Sequence, residues 1–127
     1  MSLPPQRRRI VAAPARRTQL QSVRVVIEED AEPDASYLEQ DDFEDRLASY
    51  ERGEFHFVYL RIEAEVLIAE TVQLLTSPGL GGIESDTDED GMEQIVADEW
   101  EMLRTVLKTV GVSTEQLPLK PKSEWRM

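Results

Sequence analysis

The chain has no cysteine, a single histidine and, between Glu28 and Glu101, only three basic side chains: Arg46, Arg52 and Arg61. Without cysteine there are no disulfides and no thiolate metal sites, which suits a reducing compartment. A lone His56 leaves no second imidazole for a histidine-based metal triad, and no serine or threonine stands in a nucleophile motif. Long apolar runs are also missing. The longest uncharged stretch, Thr71 to Ile83, has thirteen residues and is interrupted by Pro78 and three glycines, too short and too broken to cross a bilayer. The segment Ile10 to Ala15 follows three arginines as a secretion signal would, but it is short and contains Pro14. These absences lead us to expect a cytoplasmic protein with no membrane partner and no cofactor requirement.

Acid is what the chain has in excess. Twenty-four carboxylates fall between Glu28 and Glu101, while the first twenty residues hold five arginines and no acid. The overall net charge is −12; with residues 1–20 at +5, residues 21–127 carry −17. A body so negative repels nucleic acid and anionic lipid and attracts basic surfaces and cations. The apolar share of 40% is ordinary for a folded domain, so the charge does not imply disorder throughout. We divide the chain into a flexible basic tail (1–20), which is native or a start-site extension, a single domain (21–112) and an extended, proline-spaced tail (113–127) that includes Trp125.

Within the domain, the β-branched run Val23 to Glu28 predicts a strand. Ser36 and Glu39 form a capping box, S-x-x-E, that predicts a helix start. Phe43, Leu47 and Tyr50 follow at helical spacing as one apolar stripe, and Gly53 marks the stop. Its outer face holds Asp41, Asp42, Glu44, Asp45 and Glu51. From Phe55 to Ile68 the even positions, His56 through Val58, Leu60, Ile62, Ala64, Val66 and Ile68, form an apolar face. The odd positions begin aromatic (Phe55, Phe57, Tyr59) and turn charged (Arg61, Glu63, Glu65), so one end of this strand needs cover on both faces. The short helix or a second copy of the chain would supply it, which leaves a homodimer open. Thr71 to Thr76 reads as a returning strand, although the intervening Ala69 and Glu70 are not turn formers. Ser77 to Gly82 reads as a loop. Ser85 with Asp88 then starts a long helix ending at Gly111.

Asp86, Asp88 and Asp90 with Gly91 match the opening half of a calcium loop, D-x-D-x-D-G, where alternate carboxylates aim at one ion. The second half departs from that pattern: the twelfth position is Ala97 instead of glutamate. An acidic helix N-terminus stabilised by the helix dipole accounts for the same residues. Glu99 lies inside the apolar arc of the long helix at about 100° per residue, and a buried carboxylate needs a partner. Arg24 and Arg61, on neighbouring strands, are the candidates. Trp100 sits at the edge of the same arc, either as packing or as an anchor for a partner. The glycines of GLGG lack the lysine and following helix of a phosphate loop.

The stretch LTSPGLGGIESDTDED, with DASYLEQ and FEDRLASYERGEFHFVYLRIEAEV upstream, resembles a group of small uncharacterised bacterial and mobile-element proteins. These carry an SPGLWGIESDS-type motif before their last helix. The resemblance spans roughly Val23 to Gly111. The chain departs from it at Gly81, where those proteins tend to carry tryptophan, at Gly91, and in a shorter turn near Ala69. It implies a shared α+β fold and brings no activity.

The expected architecture is thus α+β: a three-stranded, mainly antiparallel sheet with the long C-terminal helix on one face and the short helix at its edge. The expected function is a non-enzymatic binding module whose acidic face (Asp41, Asp42, Glu44, Asp45 and Glu51, with Trp100) engages a basic partner protein. A nucleic-acid mimic of anti-defence type is the sharper form of this expectation; the same acidity also serves solubility. Two alternatives stand beside it. One is a calcium-binding protein using Asp86, Asp88 and Asp90. The other is a nucleic-acid-associated protein acting through Arg7, Arg8, Arg9, Arg16 and Arg17.

Overall fold

A computed structural model describes residues 18–113. Strand β1 (Thr18–Glu29) is followed by two 3-10 turns (Ser36–Glu39 and Asp41–Phe43) and helix α1 (Glu44–Glu51). Strands β2 (Phe57–Ile68), β3 (Thr71–Thr76) and β4 (Leu80–Glu84) come next, and helix α2 (Glu89–Thr109) closes the fold. The class is α+β, but the sheet has four antiparallel strands where three were expected. β2 is its axis. β1 lies along one edge of β2, while β3 and β4 share the other, β3 against Glu63–Ile68 and β4 against Phe57–Leu60.

The fourth strand is hidden in the glycine-rich segment read as a loop. Leu80 lies opposite Leu60 and Ile83 opposite Val58, so Gly81 and Gly82 together face the single residue Tyr59 as a bulge. Gly82 takes up a left-handed φ of +69° there, which glycine adopts without a steric penalty. Just before the strand, Gly79 (φ +88°) has the Tyr59 hydroxyl where a Cβ would stand, 1.7 Å away. The glycines therefore build this strand rather than interrupt it.

β1 starts at Thr18, inside the segment assigned to the basic tail. Thr18, Gln19 and Leu20 pair with Ile68, Leu67 and Val66, and a bulge at Gln21 resets the register. Leu20 reaches the core across that bulge, which is why a stretch poor in β-branched residues still pairs. At the other end, Ala69 and Glu70 form the β2–β3 turn with φ of +48° and +73°. Both sit in the left-handed region that tight hairpins require and that favours Asn-Gly.

The two faces of the sheet are built differently. Val58, Leu60, Ile62, Ala64 and Val66 of β2 are fully buried beneath α2, against Val96, Leu103 and Leu107. α2 is well terminated at both ends. The Asp88 carboxylate accepts from the Gly91 amide at 2.8 Å, an N-cap. At the other end Val112 N–H donates to Leu107 O and Gly111 N–H to Lys108 O, with Gly111 at φ +87°, a Schellman motif whose following Val112 is buried. Ser85, expected to begin the helix, instead accepts from the His56 amide at 2.9 Å. His56 precedes β2 and is exposed, so it does not extend the apolar face of that strand.

The opposite face changes character along its length. At one end Leu38, Phe55 and Phe57 are buried beneath Tyr37, Phe43, Leu47 and Tyr50. The expected stripe on α1 is present, but its N-terminal part is not the expected helix. Ser36 to Glu39 is a 3-10 turn whose N-cap is Ala35, which has no side-chain acceptor; the Ser36 hydroxyl, already inside the turn, donates to Asp34 at 2.7 Å. The aromatics are covered by this segment of the same chain, so they give no reason for a second copy. Further along, the face becomes ionic: Glu63, 6% exposed, is held by Arg24 from β1 and by Arg61.

Candidate functional site

The acidic face stands on the aromatic cluster. Tyr37 meets Phe43 edge-on with ring centroids 5.4 Å apart, and Tyr50 lies 5.2 Å from Phe57; such pairs add attraction beyond area burial. The cluster anchors the irregular segment from Ser36 to Phe43 to the sheet. Arg46 adds a clamp from α1. Its guanidinium lies 3.9 Å from the Phe55 ring centroid and bonds Asp86 with both terminal nitrogens, at 2.9 and 2.8 Å. It also pairs with Glu84 at the end of β4, which in turn accepts from the Tyr37 hydroxyl. Desolvation, the hydrogen bond to Glu84 and the surrounding negative charge push the Tyr37 hydroxyl up to about 12. The Arg46 hydrogen bonds hold Asp86 below the usual carboxylate range.

With their apolar neighbours turned inward, Asp41, Asp42, Glu44, Asp45 and Glu51 are all exposed. The three arginines between Glu28 and Glu101 are committed elsewhere: Arg46 to Glu84 and Asp86, Arg52 to Glu54, and Arg61 to Glu28 and Glu63. Among the described residues, Asp41, Asp42 and Glu44 take part in no salt bridge. A cleft of about 490 Å³ between the first 3-10 turn and α1 is lined by Ala35, Ser36, Glu39, Leu47, Tyr50 and Glu51. An aliphatic stem can lie on Leu47 and Tyr50 while a cationic head reaches Glu39 or Glu51, which is how long basic side chains divide between apolar and polar surroundings.

Trp100 does not join this face. It is half-buried against the α2 side of the core, on the other side of the sheet from α1, so the six residues expected to form one partner surface lie in two places. Glu99 is buried as expected, 4% exposed, but its partner is neither arginine. Arg24 and Arg61 point to the face away from α2, where Glu63 holds them; Glu99 instead accepts from the Gly79 amide at 2.7 Å. It thereby ties α2 to the turn before β4.

The aspartates of the half-matched calcium loop do not converge. Asp86 already has a cation, the Arg46 guanidinium, and Asp88 is spent on the N-cap of α2. Asp90 is exposed in the first helical turn. Among the described residues no three acidic or histidine side chains are grouped so as to hold a metal ion, and no helix is long and apolar enough to cross a membrane. Arg7, Arg8, Arg9, Arg16 and Arg17 lie outside the described residues, as does Trp125. Comparison with family models, with curated proteins and with solved structures found no match.

Proposed function

We propose that the protein is a non-enzymatic binding module that engages a basic partner protein through the acidic face of the 3-10 segment and α1. The observation that carries this reading is the uneven use of charge. The arginines of the acidic region are consumed in clamps within the chain, while Asp41, Asp42 and Glu44 are left to solvent on the same segment whose Glu39 and Glu51 line a cleft suited to a lysine or arginine side chain. Exposed carboxylates with no cation of their own act on a basic surface at a distance.

A nucleic-acid mimic is the sharper form. Duplex DNA presents a negative charge about every 1.7 Å of its axis, and Asp41 and Asp42 on a 3-10 turn followed by Glu44 and Asp45 at the start of α1, on backbone rising about 1.5–2 Å per residue, set carboxylates at a comparable spacing. The natural partner would then be a protein that binds nucleic acid. The likeness to mobile-element proteins adds no activity to this reading. An ion at the Asp86 loop would have to displace both Arg46 and the cap of α2, so the calcium alternative is not carried forward. The arginine-tail alternative rests on residues outside those described.

Affinity capture from host lysate on the full chain tests the proposal, with washes of rising salt. We expect a basic, nucleic-acid-binding protein that salt releases and duplex DNA displaces. A variant carrying Asp41→Asn, Asp42→Asn, Glu44→Gln and Asp45→Asn should not retain it. Equal capture by that variant would overturn the assignment.

A further inference from the structure

We propose that the outer edge of β3 pairs with the same edge of a second copy of this chain, giving a two-fold dimer with a continuous sheet. Among the described residues no strand lies against that edge. Its ladder phase follows from the neighbouring bonds: Ser77 N–H donates to Ile62 O, and a two-residue hairpin closes on a bonded pair, here Ile68 and Thr71. Thr71, Gln73 and Leu75 therefore bond inward to β2, and Val72, Leu74 and Thr76 turn their backbone groups outward. The same residues expose their side chains, Val72 at 57% and Leu74 at 52%.

Edge strands are normally protected by charge, proline or a bulge. β1 has such protection: a bulge at Gln21 and the charged residues Arg24, Glu28 and Glu29. β3, TVQLLT, has none of these. It opens the longest uncharged run of a chain whose residues 21–127 carry −17. That charge pattern selects the occupant. A basic partner gains nothing at an uncharged edge, whereas a second acidic copy can approach closely only where charge is absent. Antiparallel self-pairing needs only one self-complementary strip. Centred on Leu74, it sets Val72 opposite Thr76 of the other copy and uses all three outward residues, about six backbone hydrogen bonds in all. Leu74 then packs on its symmetry mate as a cross-strand pair.

Sedimentation velocity on the full chain tests this, from about 5 to 300 µM protein and at ionic strengths from about 0.05 to 0.5 M, a range over which the screening length falls several-fold. We expect a monomer–dimer equilibrium whose dimer fraction rises with salt, because the two acidic bodies repel. Leu74→Lys, an exposed substitution, should be monomeric throughout and should melt as the dilute, monomeric wild-type chain does. Leu74→Pro, which removes the outward amide but no bond to β2, should behave alike. A wild-type chain that stays monomeric across the range would overturn the proposal; pairing of the edge by residues 114–127 or by a different protein would give that result. A Leu74→Lys variant that still dimerises would overturn it equally.

Discussion

The α1 face and the β3 edge are opposite solutions to being exposed. The first is dense in carboxylates on an irregular backbone held by an aromatic cluster; the second is a regular strand with no charge at all. A surface of the first kind acts at a distance and weakens as salt screens it. A surface of the second kind acts only on contact and, between two acidic bodies, strengthens with salt. The difference teaches that the net charge of this chain is not spread uniformly, and that its gap, Thr71 to Ile83, carries as much information as its excess.

The sharpest way to break the comparison is to remove the support of one side only. Phe57→Ala empties the aromatic cluster beneath α1 and should cost about 3–5 kcal/mol in denaturant unfolding. Hydrogen exchange should rise in residues 36–51, while β2 and β3 amides keep their order of protection. If β3 opened as readily as α1, the two regions would not be separable. Next in size is Glu63→Gln, between the two regions on the same sheet face. Burial raises this carboxyl, but hydrogen bonds from Arg24 and Arg61 and their charges outweigh it, holding Glu63 below its ordinary range. The stability it contributes is present above the unfolded carboxylate pKa, and is lost as pH falls through the depressed folded value. The variant should lose about 1–3 kcal/mol at neutral pH and show a shallower loss on acidification.

A smaller, stabilising effect is expected at the β2–β3 turn. Replacing Ala69-Glu70 by Asn-Gly relieves two non-glycine residues at positive φ and should add about 1 kcal/mol, without changing binding at α1. The smallest effect concerns the clamp. Because burial and the bond to Glu84 push the Tyr37 hydroxyl up to about 12, its contribution holds below the unfolded value near 10 and fades as pH rises from there toward 12. Tyr37→Phe should remove that alkaline decline, seen as a flatter melting temperature between those limits.

Much of this organisation was legible in residue order. The alternation along β2 marked a face that is buried without exception from Val58 to Val66, and the change from aromatic to charged odd positions anticipated the two-part opposite face. The same alternation put Arg61 on the face away from α2, so it already argued against a bond to Glu99. What stayed hidden depended on contacts distant in sequence. β4 was concealed because glycine usually signals a loop, and only the Tyr59 ring and the bulge explain its presence in a strand. The capping box at Ser36 failed because the turn starts one residue earlier, with Ala35 in the cap position, while the Ser36 hydroxyl donates to Asp34. The fate of Asp86 was set by Arg46, forty residues earlier. The exposure of β3 followed from strand order, which no local pattern encodes.

The most direct measurement is a calorimetric titration of the full chain with an arginine-rich oligopeptide over a salt series. It should be repeated on two variants with equal change in charge: one neutralised at Asp41, Asp42, Glu44 and Asp45, the other at Asp90, Glu93, Asp98 and Glu101 on α2. We expect the wild-type affinity to fall steeply with salt, the α1 variant to lose most of its affinity, and the α2 variant to keep it. Equal losses in the two variants would mean that only total charge matters, and would contradict a partner-binding face on α1.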